Sequence, residues 1–316
     1  MDFLKNPNFN FIRWRWHALA LSSLVILAGL GVMATRGVPL GIDFSGGTLL
    51  LVKFEQTVGE DAVRGAINSV QVDKVIQPYG DAADNSWLIR LPQIADESGD
   101  LEGGGQAVVD ALQAANIGKF EILQRDAVGP VVGRDLQLKG IYATLASIVG
   151  ITIYIGLRFR FAFAIGAIAA TLHDILVTLA FLMFFGYDLS LNIVAAILTI
   201  TGYSVNDTIV IFDRVRENLR GMRRESLEQV VNTSVNQTLS RTIITAGTTF
   251  LAVLALYLFG GEVLEGFAFT MLVGIISGTY STVFIAAAIA IILSGKQAKA
   301  RAAASSKPAA GGRTAS

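Results

Sequence analysis

The 316-residue chain has no cysteine and only two histidines, His17 and His173. The first absence excludes disulfide frameworks, Cys-ligated zinc and thiol catalysis. The second leaves too few imidazoles, too far apart in sequence, to suggest a metal cluster. Charge is scarce as well: charged residues make up 16% against 53% hydrophobic, and the mean hydropathy is +0.56. This is the profile of a polytopic membrane protein. A formal net charge of zero says little, because the charges are segregated along the chain. No nucleophile–base constellation, nucleotide loop or metal cluster stands out, so neither an enzyme nor a cofactor or metal is expected. The basic residues sit where membrane topology puts them, which gives no reason to expect nucleic-acid binding.

What is present is a series of apolar runs long enough to cross about 30 Å of hydrocarbon. They fall at 17–35, 138–157, 161–185, 190–212, 242–259 and 266–293. Lys5, Arg13 and Arg15 precede span 1, and Arg158 and Arg160 separate spans 2 and 3. Arg214, Arg216, Arg220, Arg223 and Arg224 follow span 4, and Lys296, Lys299 and Arg301 follow span 6. The alternate short loops, Gly186–Ser190 and Gly260–Gly266, carry Asp188, Glu262 and Glu265 but no Lys or Arg. The positive-inside rule then predicts cytoplasmic termini at both ends. Span 1 reads as an uncleaved signal anchor, since Thr35-Arg36 follows it rather than a small-residue cleavage site.

Residues 1–16 are thus a cytoplasmic N-terminus, 17–35 span 1 and 138–293 the remaining bundle, with 294–316 an Ala/Gly/Ser-rich disordered tail. Residues 36–137 are the only large non-membrane segment, on the periplasmic side. Thr48–Phe54, Val72–Pro78, Ser86–Leu91 and Lys119–Asp126 read as strands, with a turn at Gly80–Asn85. Val58–Ser69, entered through Thr57, and Gly103–Ala115 read as helices. The order βαββαβ predicts a small α+β, ferredoxin-like domain, a fold that by itself specifies no function. Between spans 4 and 5, Leu227, Val230, Val231, Val235 and Leu239 recur at helical spacing, which predicts an interfacial helix near 225–239. Gly274 and Gly278, four apart in span 6, mark a close helix contact.

Glycines also punctuate both junctions of the external domain. Gly41–Thr48 reads GIDFSGGT, which lacks the Gly-Lys-Ser/Thr ending of a phosphate loop and leads into no helix. It reads as a tight chain reversal with Asp43 a turn residue. With Gly129, Pro130 and Gly133 at the other junction, the glycines either make turns only or let a rigid domain reorient.

The costliest residue is Asp207, inside span 4. A carboxylate at that depth costs about 2.5–3.5 kcal/mol on insertion scales and marks a functional candidate. Helical spacing puts it beside Tyr203 and Asn206, about 7–8 Å to the cytoplasmic side of the span's centre. Asp213 lies at the exit, where pairing with nearby arginines is expected. Span 5 carries a polar face of Thr238, Arg241, Thr242, Thr245, Thr248 and Thr249, with Arg241 the nearest basic group to face Asp207. Asp207 and Arg241 are either a static ion pair or a switchable one, in which the arginine tunes the aspartate's proton affinity. His173 and Asp174, in the middle of span 3, are either a proton relay or mutually hydrogen-bonded packing.

GYSVNDTIVIFDRVREN (Gly202–Asn218), GIDFSGGT, VGPVVG (Val128–Gly133), LHD (Leu172–Asp174) and SRTIITAGTT (Ser240–Thr249) stand in one order along the chain. Together they resemble the SecF family, the smaller membrane subunit of the bacterial protein-export factor SecDF, over residues 10–293. The resemblance implies half of an RND-superfamily transporter whose other half is SecD. It also implies residence in the bacterial inner membrane and a proton-motive-force-driven role assisting SecYEG in preprotein export. Asp207 matches the family's proton-linked aspartate and Arg241 the arginine of the following span. Repeat-built transporters place coupling sites at the repeat interface, which fits a half that needs a partner among the surrounding lipid. Two rivals are a half-size exporter of lipids or drugs and a passive translocon assembly factor.

Overall fold

The protein is described by a computed structural model covering residues 7–70, 74–80, 85–91 and 103–295. Among the described residues, six helices are long and apolar enough to cross a membrane: Ile12–Arg36, Val131–Arg158, Phe161–Phe185, Leu191–Gly221, Leu227–Phe259 and Val263–Gly295. The 294–316 tail and the Gly80–Asn85 turn fall largely outside the described residues.

Chain order begins with α1 (Arg15–Arg36), then α2 (Ile42–Ser45) and β1 (Gly47–Phe54). The external domain continues through α3 (Glu60–Ala66), β2 (Val75–Tyr79), β3 (Ser86–Leu91), α4 (Gly103–Ala115) and β4 (Phe120–Val128). The sheet runs β2-β3-β1-β4, each neighbouring pair antiparallel. This is the expected βαββαβ arrangement. Alternate residues Leu50, Val52 and Phe54 of β1 and Trp87, Ile89 and Leu91 of β3 share a buried cluster with Val63, Val108 and Leu112 of the helices, as a half-covered antiparallel sheet requires.

The bundle consists of α1 with α5 (Pro130–Arg158), α6 (Phe161–Phe185), α7 (Leu191–Gly221), α8 (Leu227–Phe259) and α9 (Glu262–Ser281). A π-helical turn, Thr282–Ala286, follows α9. Its ends follow local chemistry. Pro130 sits at the start of α5, where its missing N–H costs nothing. Gly186 ends α6 in the left-handed region at φ 75°. Ser226 and Gln229 form a reciprocal capping box that starts α8.

Two boundaries differ from expectation. Residues 130–137, assigned by sequence to the external domain, are the first two turns of α5. The interfacial helix expected near 225–239 is instead the first part of α8. No glycine or proline interrupts the ladder there, and Val230, Val231 and Val235 turn into the bundle core with Ile12, Phe212 and Val215. Asn232 and Asn236 also hold the backbone of Phe9 and Phe11, fixing the N-terminal segment against α8.

The GIDFSGGT segment is more than a chain reversal. It forms α2 and docks on the loop between α6 and α7. Gly41 N donates to Leu189 O and Leu189 N to Pro39 O, both at 2.8 Å. Asp43 Oδ2 accepts from the N–H of Leu191, the first residue of α7, at 2.8 Å. Asp43 is therefore a capping group for another helix rather than a turn residue. Arg90 of β3 pairs with Asp188 of the same loop. A Cβ on Gly133 would lie 3.1 Å from Gly46 N and 3.3 Å from Phe44 O, so the VGPVVG glycine permits α5 to seat on the same segment. In the loop, Tyr187 donates to Glu265. Burial, reinforced by that carboxylate, pushes the Tyr187 phenol far above its usual range.

The close contact expected at Gly274 and Gly278 is present, against α7. A Cβ on Gly274 would meet Ile200 Cδ1 at 2.2 Å, and one on Gly278 would meet Ser204 Cβ at 2.9 Å. Gly274→Val should overpack this contact and cost about 1–3 kcal/mol. Gly202→Ala, into open space, should change stability by less than about 0.5 kcal/mol. Thermal unfolding of both variants in detergent checks the difference.

Candidate functional site

Two carboxylates lie inside the bundle, and α7 serves both. Asp174 of α6 is 1% exposed. Its Oδ1 accepts from Ser277 Oγ at 2.7 Å and lies 3.1 Å from His173 Nδ1. Its Oδ2 accepts from Ser204 Oγ at 2.6 Å and from Ser281 Oγ at 2.8 Å. A carboxylate offers about four lone-pair sites; three accept serine hydroxyls and the fourth faces the His173 ring. Three helices, α6, α7 and α9, are thereby joined at one side chain. The network continues from His173 Nε2 to Ser22 Oγ of α1 at 2.8 Å, and Tyr280 bonds both Ser22 and the Ala18 carbonyl. Close by, Thr208 Oγ1 lies 3.0 Å from Thr282 Oγ1, the first residue of the π-turn. Such turns are frequent at functional sites.

Asp207 is treated differently. Its Oδ1 accepts from Thr242 Oγ1 of α8 at 2.8 Å. Its Oδ2 is inaccessible to solvent and has no hydrogen-bond partner among the described residues. Arg241, next to Thr242, is exposed, and among the described residues no ion pair joins it to Asp207. The static ion pair is therefore not formed in this structure. A buried acceptor without a donor costs about 1–3 kcal/mol, more when charged. Thr178 Oγ1 in the bundle is likewise without a partner among the described residues, but Asp207 Oδ2 belongs to a group that can carry charge, where the cost is larger.

The remaining expected residues divide around these two centres. Tyr203 packs with Ala196, Ile200 and Phe250 beside Asp207. Asn206 and Thr245 are exposed on the same α7–α8 face, together with Gly202 and Thr248. Asp213 pairs at 3.0 Å with an arginine, as expected, and the partner is Arg158 at the end of α5. His173 and Asp174 do not meet Asp207; they form the second centre. Sequence reasoning missed Ser22, Ser204, Ser277, Ser281 and Tyr280. The readable signal was Ser277 and Ser281 at one-turn spacing in span 6, facing the same side as Gly274 and Gly278.

Comparison with known proteins assigns the architecture. A family model described as "Protein export membrane protein SecD/SecF, C-terminal" matches residues 108–296. A second, the "SecD/SecF GG Motif", matches residues 31–58. The chain belongs to the SecD/SecF protein-export membrane protein family. It is 42% identical over 285 residues to the protein translocase subunit SecF of Desulfurispirillum indicum, covering 89% of this chain and 90% of that one. With SecF of Escherichia coli O157:H7 it shares 38% identity, covering 92% and 89%. Among solved structures, SecDF from Thermus thermophilus, a translocon-associated membrane protein, superposes with a TM-score of 0.81 at 33% identity. That match covers 92% of this chain and 39% of the other, so the chain spans about two fifths of the SecDF polypeptide. SecDF in a super-membrane-facing form gives 0.70 at 32% identity, covering 96% and 41%.

The contrast between the two SecD/SecF-family carboxylates is measurable. Asp174→Ala leaves the buried hydroxyls of Ser204, Ser277 and Ser281 without their common acceptor and should cost about 3–5 kcal/mol. Asp207→Asn keeps the shape and the Thr242 bond, and should change stability by less than about 1 kcal/mol. Unfolding midpoints of the detergent-solubilised chain separate the two.

Proposed function

We propose that this chain is the proton-coupling half of a translocation accessory complex. In this reading it pairs with a SecD-type subunit in a bacterial inner membrane, with both termini cytoplasmic. It draws on the proton-motive force to assist preprotein movement through a SecYEG-type channel, as a transport subunit rather than an enzyme. The observation that carries the reading is the half-satisfied carboxylate of Asp207, whose Oδ2 is buried without a donor.

Protonation of Asp207 removes the cost of its charge and turns one oxygen from acceptor to donor. Loss of the proton restores a charge whose nearest compensator is Arg241, an always-protonated group one residue from Thr242. Exchange between these states changes what α7 and α8 offer each other. A 100 mV potential supplies about 2.3 kcal/mol per elementary charge, comparable with leaving one buried acceptor unmet. The magnitudes match, so one proton per step suffices to favour one packing over the other.

The partner reading rests on the polar groups left open beside Asp207. Asn206 of α7 and Arg241 and Thr245 of α8 are exposed, whereas the exposed hydroxyls of Thr199 and Thr248 bond carbonyls of their own helices. Lipid cannot hydrogen-bond such groups at membrane depth, so a second bundle belongs against this face. The SecDF structures, of which this chain corresponds to about two fifths, support a SecD-type half as that bundle.

Asp207→Asn in the assembled complex should abolish the stimulation of preprotein translocation by a proton gradient in energised vesicles, with complex assembly retained. Undiminished stimulation would refute the reading. Arg241→Lys should keep more of the stimulation than Arg241→Met, because the lysine retains a charge while losing the planar fork. Both variants are compared at equal membrane abundance, and full activity of the methionine variant would count against Arg241.

A further inference from the structure

The GIDFSGGT segment has no part in the site at Asp207, yet it is joined to the first turn of the helix that carries that residue, to the loop before it and to the start of α5. Four separate connections meet there. Asp43 accepts from Leu191 N at the first turn of α7. Leu40 and Leu189 form a parallel bridge, closed by the backbone bonds of Gly41 and Leu189. Arg90 pairs with Asp188 and also reaches the Leu40 carbonyl at 3.4 Å. Gly133 lets the start of α5 lie against the backbone of residues 43–46 from the other side.

Each contact has a physical reason. The first N–H groups of a helix have no partner within the helix. Ser190 accepts from Ile193 N at 3.3 Å, and Asp43 supplies the acceptor for Leu191. The Asp43 charge also stands at the positive end of a 31-residue helix. Asp43 lies in α2, four residues before β1 begins at Gly47. β1 is an inner strand of the sheet, and Arg90 belongs to β3 beside it, opposite Leu49. Two adjacent inner strands therefore grip the 188–191 stretch.

The bundle end of the same path is equally unequal. Asp174 ties α6 to α7 through Ser204 and to α9 through Ser277 and Ser281, with both carboxylate oxygens met, whereas Asp207 meets α8 through the Thr242 hydroxyl alone and leaves Oδ2 unmet. Nearer the C-terminal end of α7, Arg214 and Asn218 also bond Gln237 and Ser234 of α8, so the compliant part of the α7–α8 joint is the stretch around Asp207. We infer that Asp43 is a positioning residue that locks the external domain to the α6–α7 hairpin, so that the domain travels with α6, α7 and α9 when they shift against α8. Leu191 lies about 24 Å along α7 from Asp207, at 1.5 Å per residue. A stiff helix carries displacement over that distance, and Asp43 delivers it to β1. Gly41 and Gly133 then serve close packing of the clamp, and Gly46 and Gly47 its backbone turn at φ 73° and 118°, rather than free rotation of the domain.

This inference rests on the proton-coupled reading above, and the experiment keeps the two apart. Four forms of the chain are assembled with the partner subunit in vesicles: wild type, Asp43→Ala, Asp43→Asn and Asp207→Asn. Translocation is measured with a proton gradient and again after a protonophore collapses it. Asp43→Ala should lose about fivefold in gradient-dependent stimulation, the population change equivalent to one lost helix cap, while gradient-independent translocation is unchanged. Asp43→Asn should recover most of the loss, because its amide oxygen still accepts from Leu191. A disulfide between Leu40→Cys and Leu189→Cys, in a chain otherwise free of cysteine, holds the clamp shut. It should leave stimulation intact and rescue Asp43→Ala, with reductant reversing the rescue. Even an Asp43→Ala chain that assembles poorly is thus tested through the crosslinked form. Full stimulation in Asp43→Ala with none in Asp207→Asn overturns the clamp alone. Loss of stimulation on crosslinking also overturns it, since the domain would then have to leave the hairpin. Full stimulation in Asp207→Asn overturns the proton reading itself.

Discussion

A carboxylate inside an apolar bundle has to be met by donors, and the way Asp174 is met organises the rest of this molecule. Hydroxyls from α7 and α9 and the His173 ring converge on it, so three helices are fixed in mutual register. Close approach makes that possible. Gly274 and Gly278 bring α9 against α7, and Gly166 lets α6 meet the π-turn after α9, where an added Cβ would lie 2.6 Å from Ala286 O. Once these helices are set, Asp207 follows on the next part of α7, facing α8 with one hydroxyl for company. The same helix thus carries one satisfied acid and one unsatisfied acid. Buried networks that are fully satisfied rigidify a core, and partly satisfied ones are poised to change.

The extramembrane sheet extends this division. It is fastened at the first turn of α7 by Asp43 and at the preceding loop by Arg90. Its core of Leu50, Val52, Ile89 and Leu112 is separate from the membrane cluster. A domain with its own core, held at the α6–α7 hairpin by a few polar contacts and seated on the start of α5 through Gly133, can move as a unit without unfolding. That is the mechanical property expected of an element that converts a shift inside the membrane into work outside it.

Much of this architecture was legible in the sequence, for definite reasons. The six spans announce themselves by length and lack of charge, and the βαββαβ order by alternation at Thr48–Phe54 and helical spacing at Gly103–Ala115. Asp207 stood out because the surrounding run is apolar. What sequence concealed was pairing across the bundle. Serines 204, 277 and 281 read as ordinary small helix residues, since a hydroxyl shows its partner only once helices are packed. The α8 start was misjudged because an amphipathic pattern such as Leu227–Leu239 looks alike whether its apolar side meets lipid or protein. Asp43 was misread for a related reason: turn chemistry is local, whereas the helix it caps begins 148 residues away.

The central claim is that α6, α7 and α9 with the external domain form one body, which moves against α8 when Asp207 changes its proton. The chain's lack of cysteine allows spin labels at Ala114 on α4, Phe185 at the end of α6 and Leu258 near the end of α8. Pulsed-resonance distances in the assembled complex then compare wild type with Asp207→Asn, whose side chain stands in for the protonated acid. The account predicts an unchanged distance between Ala114 and Phe185 and a shifted distance between each of them and Leu258. A shift between Ala114 and Phe185 with the distance from Phe185 to Leu258 held constant would contradict it.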